Sequence, residues 1–284
     1  MTIEITSDAD LPKCIPAKKA ERPRPQGFFS RTVIVTLQNG EDVVVQFRLE
    51  PLDLEPFQVS RRVLGATVPH IKVIQDKELE SEKIWAYWMT RIPGKTWLEG
   101  ARGRVSQTRV TTVRSLGRIL SKGYVDDNSG LVIDSKLHPH LELLLASEDP
   151  QIRRFHVVAK DLIGKLDQLK NLPLFVAHFD LNHVNIMVDE DCEVSGIKFY
   201  MPPEFEDAER GFWQEIWDGI PENVRSRANP EAVQIAVTLG TLLGAFQLED
   251  GKIGPYNPVV VGALPKFLTH RIALIRGSGS PYSE

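Results

Sequence analysis

The spacing of apolar and polar residues changes character near residue 93. Upstream, VIVTL (33–37) and VVVQF (43–47) are short β-branched runs separated by QNGED, which carries an Asn-Gly turn signal. The pattern predicts two antiparallel strands joined by a tight hairpin. In DLEPFQVSRRVLG (53–65), apolar residues at 57, 59, 63 and 64 predict a short helix, closed off by Pro69. HIKVIQD (70–76) and IWAYWMTRI (84–92) predict two further strands, joined by the acidic, polar KELESEK. Residues 28–92 therefore read as a small lobe of strands with one helix.

Downstream the period lengthens. Gly94 and Gly100 bracket a hinge. Residues 105–121 predict a helix with Val110, Val113, Leu116 and Ile119 or Leu120 on one stripe. A second helix is expected over 150–169, with apolar positions 157, 158, 162, 163 and 166. In NPEAVQIAVTLGTLLGAF, Asn229 can cap a helix and Pro230 suits its first turn. Ala232, Ile235, Ala236, Leu239, Leu242, Leu243 and Phe246 then follow a 3.6-residue period and predict core. The expected organisation is α+β: a strand-rich lobe over 28–92, then a helical lobe over 93–274. Residues 1–27, rich in proline and charge from 11 onward, read as a flexible leader or a strap over the surface, and 275–284 as a flexible tail.

Composition narrows the class. The chain has 284 residues, long enough for one large domain or two lobes. Lys plus Arg total 34 against 38 Asp plus Glu, a formal charge of −4, which argues against a broad nucleic-acid footprint. Cys14 and Cys192 lack both a disulfide-framework pattern and metal-site spacing. MTIEITSDAD has no apolar signal core, and VVVGALP falls far short of the roughly 20 apolar residues that cross a bilayer. A cytoplasmic protein without nucleic-acid or membrane partners is expected.

The chemistry concentrates at 174–197. LFVAH is a short apolar approach, HFDLNHVN is polar and irregular, and IMVD and EVSGI predict strands around the turn EDC. A hairpin holds the loop before it rigidly, as a catalytic loop requires. Phosphoryl transfer needs a group that orients the attacking hydroxyl and accepts its proton, and oxygen ligands for Mg²⁺. Asp180 suits the first task, and Asn185, five residues on, the second through its amide oxygen. His178 suits hydrogen-bonded support of the loop. His183 suits either a substrate-facing or a solvent-facing position, and Asp189, Glu190 and Asp191 suit the hairpin turn. An isolated Asp-x₄-Asn also serves to cap turns.

With HFDLNHVNIMV, DEDCEVSGI, VVVQFRLEPLDLEPF and MTRIPGKTW, the chain resembles the aminoglycoside phosphotransferase and choline kinase family, a branch of the protein-kinase-like fold. It resembles most the fungal proteins of that family, and the likeness covers roughly residues 28–250. The resemblance implies a two-lobed fold that binds ATP and Mg²⁺ between its lobes and phosphorylates a hydroxyl of a small molecule. It places the catalytic carboxylate on Asp180, with His178 in support, and the metal-binding amide on Asn185. The family's phosphate-contacting basic residue on the third strand falls near Gln46. Arg48, two residues on and on the same strand face, can substitute for it or stand as a solvent-facing rim charge. Glu55 is the expected helix acid that braces this basic residue, or else a first-turn helix residue.

One departure bears on activity. After an SGI-type strand the family has Asp-Trp, whose carboxylate binds Mg²⁺. Here SGI runs into KFYMPPEFEDAERGFW, and the Lys198 ammonium has no acceptor for a cation. The resemblance reads this as a missing Asp-Trp segment, with Glu204, Glu206 and Asp207 as replacement acids or solvent-facing helix-start residues. Three functions stay open: a small-molecule phosphotransferase, weak or inactive; a catalytically inactive kinase-like binding or scaffold protein; and a cleft repurposed for non-phosphoryl chemistry in metabolite biosynthesis. Phe212, Trp213 and Trp217 suit an acceptor-site wall or helix-face packing.

Overall fold

The computed structural model describes residues 17–23, 26–27, 29–101, 106–125, 129–176, 185–196, 206–249 and 251–273. The chain divides into two compact units. The first comprises 1–112 and 178–200, and the second 113–177 and 201–284. The fold is α+β, with a strand-rich N-terminal region and a helical C-terminal region. The strand-rich unit extends past residue 92, the boundary expected from the change of period, and takes in the hairpin that follows HFDLNHVN.

Five antiparallel strands form the main sheet of the first unit: β1 (Ala17–Glu21), β2 (Ser30–Leu37), β3 (Asp42–Arg48), β4 (Ile71–Ile74) and β5 (Trp85–Thr90), in the order β1-β2-β3-β5-β4. Both β-branched runs are strands, and Gly40 of the turn between them adopts φ 89°, which side chains resist. Period-two alternation sorts β3 into two faces. Val43 and Val45 are buried with Val35, Leu37, Ile74, Ala86 and Trp88, and Phe47 packs against that cluster. Val44, Gln46 and Arg48 stand on the other face. Within the expected leader, Ala17–Glu21 is the edge strand β1, in register with Ile34–Leu37. Its backbone gains a ladder partner that composition does not reveal.

Helix α1 (Glu55–Leu64) matches the predicted helix, with Pro56 in its first turn. KELESEK is more than a connector: Lys77–Ser81 is a helical turn whose Glu78 and Leu79 N–H groups donate to the Asp76 carboxylate. A second, three-stranded sheet joins β6 (Lys95–Thr96), β7 (Met187–Val188) and β8 (Val194–Gly196) in the order β8-β7-β6.

The second unit is built on α2 (Ser106–Leu120, entering it at Val113), α3 (His138–Ala146), α4 (His156–Ile163), α5 (Glu206–Gly219), α6 (Pro230–Gly244) and α7 (Pro258–Leu268). Asn229 caps α6 through its side-chain oxygen on the Glu231 N–H at 2.8 Å, as its position before Pro230 predicts. Ala232, Ile235, Leu239, Leu242 and Leu243 are buried, packed with Leu141, Leu144, Ile152, Leu162 and Val261. Phe246 is buried too, but on a strand beyond the helix end. The single helix expected over 150–169 is three shorter pieces: Pro150–Arg153, α4, and a 3₁₀ turn over Leu166–Leu169. Phe155 (φ −102°, ψ 0°) leaves helical geometry between the first two, and Gly164 closes the second. Helices α2 and α5 approach so closely at Gly117 that a Cβ there would lie 2.6 Å from the Phe212 carbonyl oxygen. Phe212 is buried on this packed face, with Trp213 edge-on to it at 5.3 Å. No helix of the described residues is long and apolar enough to cross a membrane.

Candidate functional site

Of the expected catalytic segment, the described residues form its exit. His178, Asp180, His183, Lys198 and Glu204 lie outside the described residues, whereas Asn185 is described and half-buried at the bend that enters β7. Immediately after it, Ile186 is fully buried, and its carbonyl accepts the Trp97 N–H at 2.7 Å. Met187 and Val188 then pair with Thr96 and Lys95. The residue expected to offer a metal-binding oxygen is thus followed by a backbone locked into a sheet.

Three local devices hold that sheet. Thr96 and Glu99 form a reciprocal capping box that starts the helical turn Trp97–Gly100. Gly100 packs so tightly that a Cβ would stand 2.7 Å from Val188 Cγ2. The Asp189 carboxylate accepts the N–H groups of Asp191 at 3.0 Å and Glu193 at 2.9 Å, closing the turn between β7 and β8. Asp189 is therefore committed to the hairpin. Cys192, at φ 64°, is buried in the turn, and its carbonyl accepts the Thr112 hydroxyl at 2.8 Å. Thr112 is not singled out from the sequence, Gly100 reads only as the edge of a hinge, and Thr96 and Trp97 stand only within MTRIPGKTW, with no individual role. The T-W-L-E capping signature was the readable signal; the Thr112–Cys192 contact spans 80 positions and left none.

On β3, Gln46 and Arg48 do meet. Arg48 Nη1 donates to Gln46 Oε1 at 3.2 Å. Arg48 is half-buried, and its Nε is buried with no hydrogen-bond partner among the described residues, so it is not a fully solvated rim charge. Gln46 faces Thr32 on one side and the fully buried Tyr87 on the other. Tyr87 is itself fixed by accepting the Leu52 N–H at 2.7 Å. Glu55 is exposed in the first turn of α1, where its N–H donates to the Asp53 carboxylate at 3.1 Å. Among the described residues no hydrogen bond or ion pair joins Glu55 to Gln46 or Arg48.

Mg²⁺ requires several oxygen ligands in near-octahedral array. Asn185 supplies one, and the described residues contain no group of three or more His, Cys, Asp or Glu gathered to hold a cation. Their donor set is thus incomplete for the metal. Asp207 is exposed in the first turn of α5, as expected of a helix-start acid, and Glu206 begins that helix.

Comparison with known proteins supplies the remaining frame. A family model described as "Phosphotransferase enzyme family" matches residues 21–197, a span that contains β3, α1 and the whole HFDLNHVN segment. No curated protein matches the chain significantly. Among solved structures, the macrolide 2′-phosphotransferase MphH from Brachybacterium faecium is similar at 17% identity, with 90% of this chain and 93% of that chain covered and a TM-score of 0.42. Aminoglycoside phosphotransferase APH(2″)-Ib, solved with ADP, is similar at 9% identity over 90% and 93% of the two chains, with a TM-score of 0.46. A Thermobifida fusca YX-ER1 protein assigned as a fructosamine-3-kinase is similar at 14% identity over 90% and 95%, also with a TM-score of 0.46. Likeness at these levels carries no argument about substrate.

Proposed function

We infer the function of this chain from one premise: it belongs to the phosphotransferase enzyme family. We propose that it transfers a phosphoryl group from ATP to a hydroxyl of a small molecule, with weak turnover. The observation that carries this reading is the match across 21–197, within which HFDLNHVN leads into a hairpin pinned at Ile186. Asp180 is the proposed acceptor of the substrate hydroxyl's proton, His178 the support of its loop, and Asn185 the metal-binding amide. On β3, Gln46 is the proposed phosphate-facing donor. Arg48, which donates to the Gln46 side-chain oxygen Oε1, orients the NH₂ group of that amide. Glu55 has no place in this arrangement beyond the first turn of its helix.

Bound Mg²⁺ would neutralise charge on the phosphates. The proposal of weak turnover rests on Lys198, which follows SGI where the family has a carboxylate, so that a second metal ligand is missing from the sequence. The same departure, read as a missing Asp-Trp segment, favours the second reading, a kinase-like protein that binds its ligand without turnover. Purified protein with Mg·ATP and a panel of hydroxylated metabolites separates the two. Phosphorylated product supports the first. Absence of product with a magnesium-dependent nucleotide thermal shift supports the second. Absence of both in a folded protein overturns each of them.

A further inference from the structure

At the end of the main sheet, where Ser30, Arg48 and Trp85 stand in register, the strand-rich unit forms a cleft of about 440 Å³. Period-two alternation fixes the face on which Arg31 and Phe47 line it. The two residues pair across β2 and β3, so they share the face of Val43 and Val45, opposite Gln46. Arg48 borders the cleft as well, but its guanidinium is engaged by Gln46. Two of the walls are large apolar side chains left mostly in water, Phe29 at 75% exposure and Leu49 at 77%. Phe47 and Ile84, both half-buried, extend the apolar lining. Apolar surface held open to water this way is favourable to cover.

Two opposite charges in the same lining narrow what would cover it. Arg31 is exposed, and its Nη1 donates to the carbonyl oxygens of Gly27 and Ser30 at 3.1 and 3.2 Å. Those bonds anchor one corner of the guanidinium at the strand end. Among the described residues nothing accepts from its Nε and Nη2, the edge that offers a carboxylate two parallel hydrogen bonds. Glu50 is exposed too, and among the described residues no hydrogen bond or ion pair occupies its carboxylate, not even one from Arg31. The cleft thus holds a cationic donor and an anionic acceptor that do not neutralise each other. A purely anionic ligand is drawn to Arg31 and repelled by Glu50, and a purely cationic one meets the reverse. An α-amino acid carries both charges and an apolar body on a single carbon, and so suits every wall at once.

We propose that this cleft is a second ligand site, separate from the Gln46 face of β3, that takes a free α-amino acid with an aromatic or branched apolar side chain. The carboxylate bonds the Nε and Nη2 edge of Arg31, the ammonium pairs with Glu50, and the side chain covers Phe29, Leu49, Phe47 and Ile84.

The probe is L-phenylalanine, titrated into the full chain by calorimetry or ligand-observed NMR. Phenylalaninamide lacks the carboxylate, N-acetyl-phenylalanine lacks the ammonium, and glycine lacks the apolar body. Saturable binding of phenylalanine is expected with a Kd below about 1 mM, at least tenfold tighter than for any comparator. Each charge then has its own signature. Arg31→Gln should erase the preference over phenylalaninamide, and Glu50→Gln the preference over N-acetyl-phenylalanine. The Glu50 side chain is already in water, so Glu50→Gln should melt like the parent and decide the matter if Arg31→Gln unfolds. Absence of saturable binding, equal binding of any comparator, or a preference left unchanged in either folded variant would overturn the proposal. One-for-one displacement by Mg·ATP would assign the cleft to the nucleotide and overturn it as well. The measurement needs no turnover, so its outcome is independent of whether phosphoryl transfer occurs.

Discussion

The two units bury their cores on different terms. In the strand-rich unit, β3 is apolar on one face only: Val43 and Val45 go into the core, while Gln46 and Arg48 occupy the other face and bond each other. In the helical unit, α6 buries Ile235, Leu239, Leu242 and Leu243 in an extensive apolar cluster. Its buried polar residue Gln234 is spent on structure, accepting the Ile272 N–H at 2.8 Å and donating to the His270 carbonyl at 3.0 Å. A half-polar sheet leaves polar side chains on one face, whereas a predominantly apolar helix face, with even its buried Gln234 hydrogen-bonded to backbone, converts its residues into stability. The difference predicts that substitutions in the two units separate activity from folding.

The largest expected effect is on catalysis. If Asp180 accepts the hydroxyl proton, Asp180→Asn should lower phosphoryl transfer by about 10²–10⁴-fold with an unchanged melting temperature, read from product formation beside a thermal melt. Retained activity would remove Asp180 from the mechanism. Next, Leu242→Ala in the helical core should cost about 2–5 kcal/mol, against about 2 kcal/mol for Val45→Ala in the sheet. Denaturant melts of both variants test this order, and a larger loss for Val45→Ala would reverse the comparison.

Thr112→Val keeps the shape of the side chain but removes its hydrogen bond to the Cys192 carbonyl, at a cost of about 1 kcal/mol. Because that bond holds the hairpin behind Asn185, hydrogen exchange at Met187 and Val188 should rise. The smallest effect is a pH dependence in the helical unit. Burial holds the His140 imidazole below its ordinary pKa, and its Nε2 is buried without a partner among the described residues. The unfolded chain therefore binds the proton at higher pH than the folded one. This contribution to stability is full above pH 6.5 and is lost as the pH falls below it. His140→Leu should recover part of the melting temperature lost between pH 7 and pH 5, read from thermal melts of both proteins at the two pH values.

Much of this arrangement was legible from local pattern. The β-branched runs around QNGED became β2 and β3, the apolar period of 230–243 became α6, and Asn229 caps it. Such features are dictated by residues close in sequence. Less legible were elements whose partner is distant. Ala17–Glu21 has a leader's composition and becomes a strand through pairing with β2. The break at Phe155 lies inside an apolar period that continues through it. At the candidate site, Asp-x₄-Asn pointed to a chemistry, but the contacts that fix Asn185's neighbours come from Trp97 and Thr112. The hydrogen bond between Gln46 and Arg48 follows from their shared face; the exposure of Glu55 does not follow from its place in the sequence.

The edge strand β1 has a consequence for the behaviour of many copies in solution. All five of its residues are exposed, and three of them, Lys18, Lys19 and Glu21, are charged. A rim of this kind resists templating by another chain, because an incoming strand must strip water from ammonium and carboxylate groups. Behind it lies Ser30–Leu37, whose β-branched run would make an adhesive rim if it were uncovered. Proteolytic loss of 17–21 would leave the proposed catalytic residues in place, yet favour edge-to-edge association into insoluble aggregates. The colloidal stability of the molecule thus rests on a short segment remote in sequence from the residues proposed for its chemistry.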